Sequence, residues 1–524
     1  MILSLLFACS ASDKQSPPIE LLITNGSIQV SATEMRTSIG VHEGRFVEPT
    51  ETAIQTLDLQ GNVLVPGFHD SHTHLLAGSF VFDKLLLVGV GSMTTIRNKV
   101  EEYVSTNPAV PWVVGYGWVD AILDNPSGVA LDEVSGDYPA IIFDSAGHSV
   151  LVNSKAMELA GITAETPVPD GGIIEYDEQG EPIGLLREAA IELVSPLMVE
   201  SFTDAQIVAN LSDTVTTFHE AGITSIAEIL AVPGVNLSKP ELYAQEAPAL
   251  RVHYYLPIFS TEDLITLENH LDDQDPFLRF MGGKIWVDGS SGSGESWSLT
   301  ESVIEDGHYG SHYFNTEDLI PFVRHAEQHG YDLKLHVNGD AAVKAALDAL
   351  EAVEAERGEL LSRYVFEHIL MVSPGDHARL LRLGVIASVQ PSHALVGQFG
   401  DQADHWGAEK MESAWDFARL EEEGLTIAMG TDWPVWPTPD SMVNYKTAVE
   451  GVGERALSKE IGFAAYTLNG AAAVGFSHES GSIEVGKWAD FVILDDNPLT
   501  ADDIADIKII QTWVAGEQVS GSAF

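Results

Sequence analysis

Between residues 65 and 429 the chain alternates short apolar runs with longer stretches whose apolar residues recur at helical spacing. The runs are Val65–Thr73, Ile223–Ile229, Arg251–Ile258, Gly283–Asp288, Asp332–Val337, Tyr364–Leu370, Val385–Gln390 and Leu425–Met429. Helical stretches separate most of them, among them Asp204–Ala221, Thr316–His329, Ala341–Ala355 and Pro374–Arg382. Short apolar strands joined by helices predict a parallel sheet, and eight of them predict an α/β fold closed into a (β/α)8 TIM-like barrel. One interval departs from this rhythm. Roughly 150 residues lie between the first two runs, where a crossover normally takes about a dozen. An inserted subdomain after the first barrel strand, over about residues 80–200, is therefore expected.

The two ends carry a different pattern. Leu21–Thr24, Ser27–Val30, Thr37–Val41 and Asn62–Val65 are short β-rich runs punctuated by Gly, Asn and acidic residues. Phe491–Leu494, Ile507–Ile510 and Thr512–Val514 repeat that texture near the other end. Together they predict one β-sandwich built from both termini, residues 19–66 and 476–524, around a barrel spanning 67–475. A chain of 524 residues is too long for a single domain of about 100–200, which agrees with this division.

Charge removes some partners. With 78 acidic against 26 basic residues the net charge is −52. A phosphate backbone needs a basic patch, so no nucleic-acid partner is expected. Docking onto anionic lipid head groups is disfavoured for the same reason. The one cysteine, Cys9, excludes an intrachain disulfide and a thiolate zinc cage. It ends the apolar run Met1–Ala8 and precedes a polar, Pro-containing stretch to residue 18. That pattern resembles the C-terminal half of a bacterial lipoprotein signal, although no Lys or Arg precedes the run. It predicts lipidation at Cys9 and a place in the bacterial cell envelope, lipid-anchored or periplasmic, with a cytoplasmic place as the alternative where the signal does not function. No other stretch approaches the roughly 20 apolar residues of a membrane helix, so the membrane enters only through such an anchor.

The candidate chemistry sits at strand ends. Phe68-His69-Asp70-Ser71-His72-Thr73-His74 closes the first run. Strand side chains alternate faces, so His72 and His74 share one and can share a metal ion, while His69 points away as a structural residue. His336, His368 and Asp432 each lie near the end of a later strand, where barrel enzymes gather their catalytic groups. Lys284 lies inside the fourth strand. A buried lysine must be paired, for instance with Asp288, or neutral, and a neutral amine can capture carbon dioxide as a carbamate.

The ordered set His72/His74, Lys284, His336, His368 and Asp432 resembles the amidohydrolase superfamily. The motifs Pro66–His74, Gly147-His148-Ser149, Asn153–Ala156, Gly184–Glu188, Asp288-Gly289-Ser290, His336–Asp340, Glu367-His368, Gly430–Val435 and Gly481–Asp490 narrow the likeness. It points to the YtcJ-like branch (amidohydrolase 3 family), which includes N-substituted formamide deformylase. The resemblance runs from about residue 20 to the end. It implies one or two divalent metals, zinc first among them, and hydrolysis of a non-peptide carbon–nitrogen bond in a small amide or formamide by metal-activated water. By the same resemblance His72, His74 and Asp432 hold the more buried ion, and His336 and His368 hold the second. Carbamylated Lys284 bridges them, and Asp432 moves the proton from water to the leaving amine. His148 and His393 are candidates for substrate contact. Trp118 and Trp297, with Trp286, Trp406, Trp433 and Trp436, lie in or beside the motif loops and are candidates for an apolar pocket wall. Gly289–Gly294 lacks the ending of a P-loop and reads as an active-site loop. The rival readings are a cyclic amide, carbamate or ester hydrolase, an isomerase or decarboxylase, and a non-catalytic lipid-anchored binding protein.

Overall fold

The computed structural model describes residues 19–522 except 51, 82–84, 109, 120–122, 146, 170–171, 233–234, 246–249, 274, 292–293 and 396–404. Cys9 and the polar stretch after it lie outside the described residues, as do two residues of the Gly289–Gly294 loop.

The barrel is present. Its strands are β1 (Phe68–Thr73), β2 (Ile223–Ile229), β3 (Arg251–Pro257), β4 (Leu278–Trp286), β5 (Asp332–Val337), β6 (Tyr364–His368), β7 (Ile386–Val389) and β8 (Thr426–Met429). They form one sheet in chain order and every neighbouring pair is parallel. The seam between β8 and β1 is closed beyond the end of β8. There Asp432 N–H donates to His72 O at 2.8 Å, and Thr431 N–H donates to Asp70 Oδ1 at 2.9 Å. The first apolar run divides in two. Val63–Pro66 pairs with Ser27–Gln29 and Phe491–Leu494 in a separate sheet, and β1 begins at Phe68. Gly67 makes the division possible, since a Cβ there would lie 2.2 Å from Thr224 Oγ1. Strand β4 starts earlier than its Gly-Gly pair suggests. Gly282 lies at φ 157°, where a Cβ would meet Asp332 O at 1.8 Å, so glycine lets the two backbones approach closely.

Both chain ends build the sandwich. One sheet holds Ile19–Thr24, Ile39–His42, Arg45–Val47 and Ala53–Asp58. The other interleaves Ser27–Gln29, Met35–Arg36 and Val63–Pro66 with Phe491–Leu494, Ile509–Val514 and Glu517–Gly521. Ile23, Ile28, Ile39, Phe46, Leu64, Phe491 and Ile493 fill the space between them. Between β1 and β2 a six-stranded sheet runs from Leu85–Val90 to Pro182–Glu188, backed by helix Met93–Thr106.

A buried ion pair fastens sandwich to barrel. Arg251, at the start of β3, holds Asp490 through Nε at 2.6 Å and Nη2 at 3.0 Å. Asp490 Oδ1 also accepts the N–H of Ala515, and the Asp490 backbone carbonyl accepts that of Gly67. Removing one partner strands the other charge in an apolar setting, which costs far more than the pair itself contributes. Asp490→Ala should therefore destabilise the protein by about 3–5 kcal/mol, read as a lower denaturant midpoint. A midpoint within about 1 kcal/mol of the parent would show that this joint carries no load.

Candidate metal centre

The end of β1 brings His72 and His74 to one face, and both Nε2 atoms stand 3.2 Å from Asp432 Oδ1. Asp432 reaches them because the chain turns sharply after β8, with φ 55° at Asp432 itself. Gly430 must be glycine here, because a Cβ would meet His72 N at 2.5 Å. Asp70 binds the turn by accepting Thr431 Oγ1–H at 2.6 Å.

Each imidazole is oriented from behind. His74 Nδ1–H donates to Ile229 O at 3.3 Å, which leaves its Nε2 lone pair facing the site. His72 Nδ1 stands 3.0 Å from Glu367 Oε2, and the other Glu367 oxygen takes the Lys334 ammonium at 2.6 Å. Lys334 in turn donates to Ser71 O at 2.9 Å, tying β5 and β6 to β1. Burial alone would raise the Glu367 carboxyl, but His72 and Lys334 hold it well below the usual carboxylate range.

His368 follows Glu367 directly, and strict alternation would send it to the opposite face. Its φ of 69° breaks the alternation, and its Nδ1 lies 4.0 Å from Asp432 Oδ2. The His336 ring stands 4.4 Å from that of His368, and His393 Nε2 is 3.7 Å from Asp432 Oδ2. Lys284 is fully buried, and its Nζ has no hydrogen-bond partner among the described residues. Asp288 does not pair with it, but accepts the N–H groups of Asn338, Gly339 and Trp297. Burial lowers Lys284 to about 8.

This donor set fits a divalent cation. Asp432 Oδ1 has no aligned hydrogen bond despite two ring nitrogens 3.2 Å away. Burial lowers His74, His336 and His368, which keeps these rings in the neutral form that coordinates a metal. His72, His368 and Asp432 offer ligand atoms all within 4.8 Å of one another. His336 and Lys284 adjoin them and complete the set expected from the sequence.

The remaining candidates divide. His148 comes from the inserted sheet and lines the cleft with His72, His74, His336, His393 and Asp432. Its Nδ1 pairs with Glu188 at 2.8 Å, and Tyr313 O–H donates to the same Glu188 oxygen. Trp118 is not at the site. It is fully buried in the inserted sheet, where Nε1–H donates to Ile142 O, because the end of that strand packs inward against its own helix. Trp297 is not among the residues that line the cleft, and its ring stacks 4.1 Å from that of His312. Trp286 does line the cleft. Sequence reasoning assigned no role to Glu367, Lys334 or Glu188. Lys334 carried a signal, since it lies two residues before His336 and so shares its face of β5.

The chain is similar to known proteins along most of its length. The profile of the amidohydrolase family matches residues 55–520. Protein LONG AFTER FAR-RED 3 of Arabidopsis thaliana is 29% identical over 95% of this chain and 91% of its own. N-substituted formamide deformylase of Arthrobacter pascens is 26% identical over 95% and 97%. The crystal structure of an uncharacterized metal-dependent hydrolase from Pyrococcus furiosus superposes with a TM-score of 0.74 at 24% identity, covering 92% of this chain and all of that one, which bears on the fold alone.

Proposed function

The chain belongs to the amidohydrolase family, and on that premise we propose that it is a metal-dependent hydrolase cleaving the carbon–nitrogen bond of an N-substituted amide or formamide. The observation that carries this reading is the Asp432 carboxylate, unaligned for hydrogen bonding between two imidazoles and ringed by three more. His72, His74, Asp432, His336 and His368 would hold one or two zinc ions, and Lys284 as a carbamate would add two oxygens to the donor set. A bound cation would polarise the carbonyl and lower the pKa of water.

The chain's own groups supply the rest. Asp432 Oδ2 can take a proton from the attacking water and return it to the departing nitrogen. Burial alone would raise the Asp432 carboxyl, but His72 and His74 hold it well below the usual carboxylate range, so it is ionised and ready to accept. His148 has Nε2 left to donate toward a substrate oxygen in the cleft. Trp286 and Val435 supply apolar wall for the N-substituent. The name of the deformylase relative supports the formamide end of this class.

The test is a substrate screen of the zinc-reconstituted protein against N-formyl, N-acyl, carbamate, lactam and ester compounds, assaying released amine. Turnover of an N-substituted formamide or acyclic amide is expected. Turnover confined to lactams, carbamates or esters would overturn the reading, as would a protein that takes up zinc and hydrolyses nothing.

His148 adds a pH prediction. Burial alone would lower it, but Glu188 overcomes that and raises it to about 8. Its Nε2–H donor is therefore present below pH 8 and lost above it, so kcat/KM should fall as pH rises through about 8. Glu188→Gln removes the raising charge and should shift that limb down by about 1 pH unit. A limb that stays in place would exclude His148 as the donor.

A further inference from the structure

At the other end of the barrel a second group of ligands converges. His325 and His329 lie one turn apart on helix Thr316–His329, so both rings leave one face of it. Their rings stack at 4.2 Å. Glu268 ends the neighbouring helix Leu264–Glu268, and its Oε1 stands 3.1 Å from His325 Nε2 and 3.9 Å from His329 Nε2. The three ligand atoms all lie within 4.8 Å of one another. His325 Nδ1 is 2.8 Å from the hydroxyl of Tyr331, a buried residue next to the first residue of β5. The cleft ligand His336 lies at the opposite end of that strand, roughly 16 Å away at about 3.3 Å per residue. The two groups cannot share an ion.

We propose that Glu268, His325 and His329 form a second divalent-cation site, a surface site for zinc or a similar late first-row ion. Two imidazole nitrogens and a carboxylate oxygen are zinc's ordinary donors, with water in the fourth position. Calcium and magnesium call for oxygen throughout. Tyr331 holds Nδ1 of His325 and leaves Nε2 outward, as a coordinating imidazole requires. A simple ion pair accounts for the arrangement less well. An ion pair needs one histidine, whereas here two turn Nε2 toward the same Glu268 oxygen. A bound ion joins the helices that lead into β4 and β5, the strands that carry Lys284 and His336. Its role is therefore to brace the barrel.

Equilibrium dialysis of the full chain against buffered free zinc, with the bound metal counted, tests this. The parent should bind one more zinc per chain than His329→Ala, and Glu268→Gln should weaken that extra zinc about tenfold. Zinc should raise the thermal midpoint of the parent more than that of His329→Ala. Equal zinc binding by the parent and His329→Ala at every free zinc level would overturn the proposal. Should His329→Ala fail to fold, the exposed Glu268→Gln decides alone, and unchanged zinc binding in it would equally refute the site.

Discussion

Replacing Asp432 with asparagine should lower kcat/KM by about 10³-fold or more, on the order of 4 kcal/mol of transition-state stabilisation. Asparagine has nearly the same shape, so the turn after β8 and its contacts with His72 O should survive. What disappears is the charge. His72 and His74 hold Asp432 ionised against the pull of burial, and that anion is what three further imidazoles and the cation the site would bind are arranged around. The amide also cannot accept a proton from water or return one to a leaving nitrogen. Metal content should therefore fall together with turnover. The measurement is kcat/KM on the best substrate of the screen, with zinc per chain determined on the same sample. A variant within about tenfold of the parent would remove Asp432 from the chemistry.

The imidazoles that surround Asp432 were largely legible in the sequence, and the groups that orient them were not. Histidine is conspicuous at the end of an apolar strand, and the two-residue spacing of His72 and His74 already fixes a shared face. The parallel barrel was readable for a similar reason, since helices between short apolar runs leave few other topologies. Glu367 is different. Its worth depends on lying beside His72 and Lys334, which belong to strands 295 and 33 residues away and meet it only through the barrel's closure and register. His368 shows the same limit from the backbone side. Alternation alone would turn it away from Glu367's face, and only a left-handed residue brings both inward. Trp118 failed in the other direction. Proximity to a motif loop suggested a pocket wall, but the inserted sheet has a core of its own and an indole satisfied by Ile142 O fills it. The Glu268–His325–His329 group escaped notice because its i,i+4 histidines become a site only beside a carboxylate from a different helix.

Lys284→Ala should cost about 10²–10³-fold in kcat/KM and about one bound zinc per chain. An ordinary lysine is almost wholly protonated at neutral pH and cannot attack carbon dioxide. Burial lowers Lys284 to about 8, so about half of its amines are neutral at that pH. The nitrogen lone pair then forms the N–C bond to carbon dioxide and a proton leaves, which turns a buried amine with no hydrogen-bond partner among the described residues into an anion with two oxygens. That change suits the site. An ammonium beside four imidazoles repels any cation brought to them, whereas a carbamate attracts it. The alternative is that Lys284 acts as a fixed positive charge offsetting Glu367 and Asp432, the two carboxylates that oppose its loss of a proton. The two roles separate cleanly. If the carbamate forms, metal-stripped protein should regain activity with zinc only when bicarbonate is present. Lys284→Ala should then recover part of its activity with a short carboxylate such as acetate, which would supply the missing pair of oxygens. Full reactivation in carbon-dioxide-free buffer, with Lys284→Ala retaining its full zinc content, would instead leave Lys284 as a charge-balancing group.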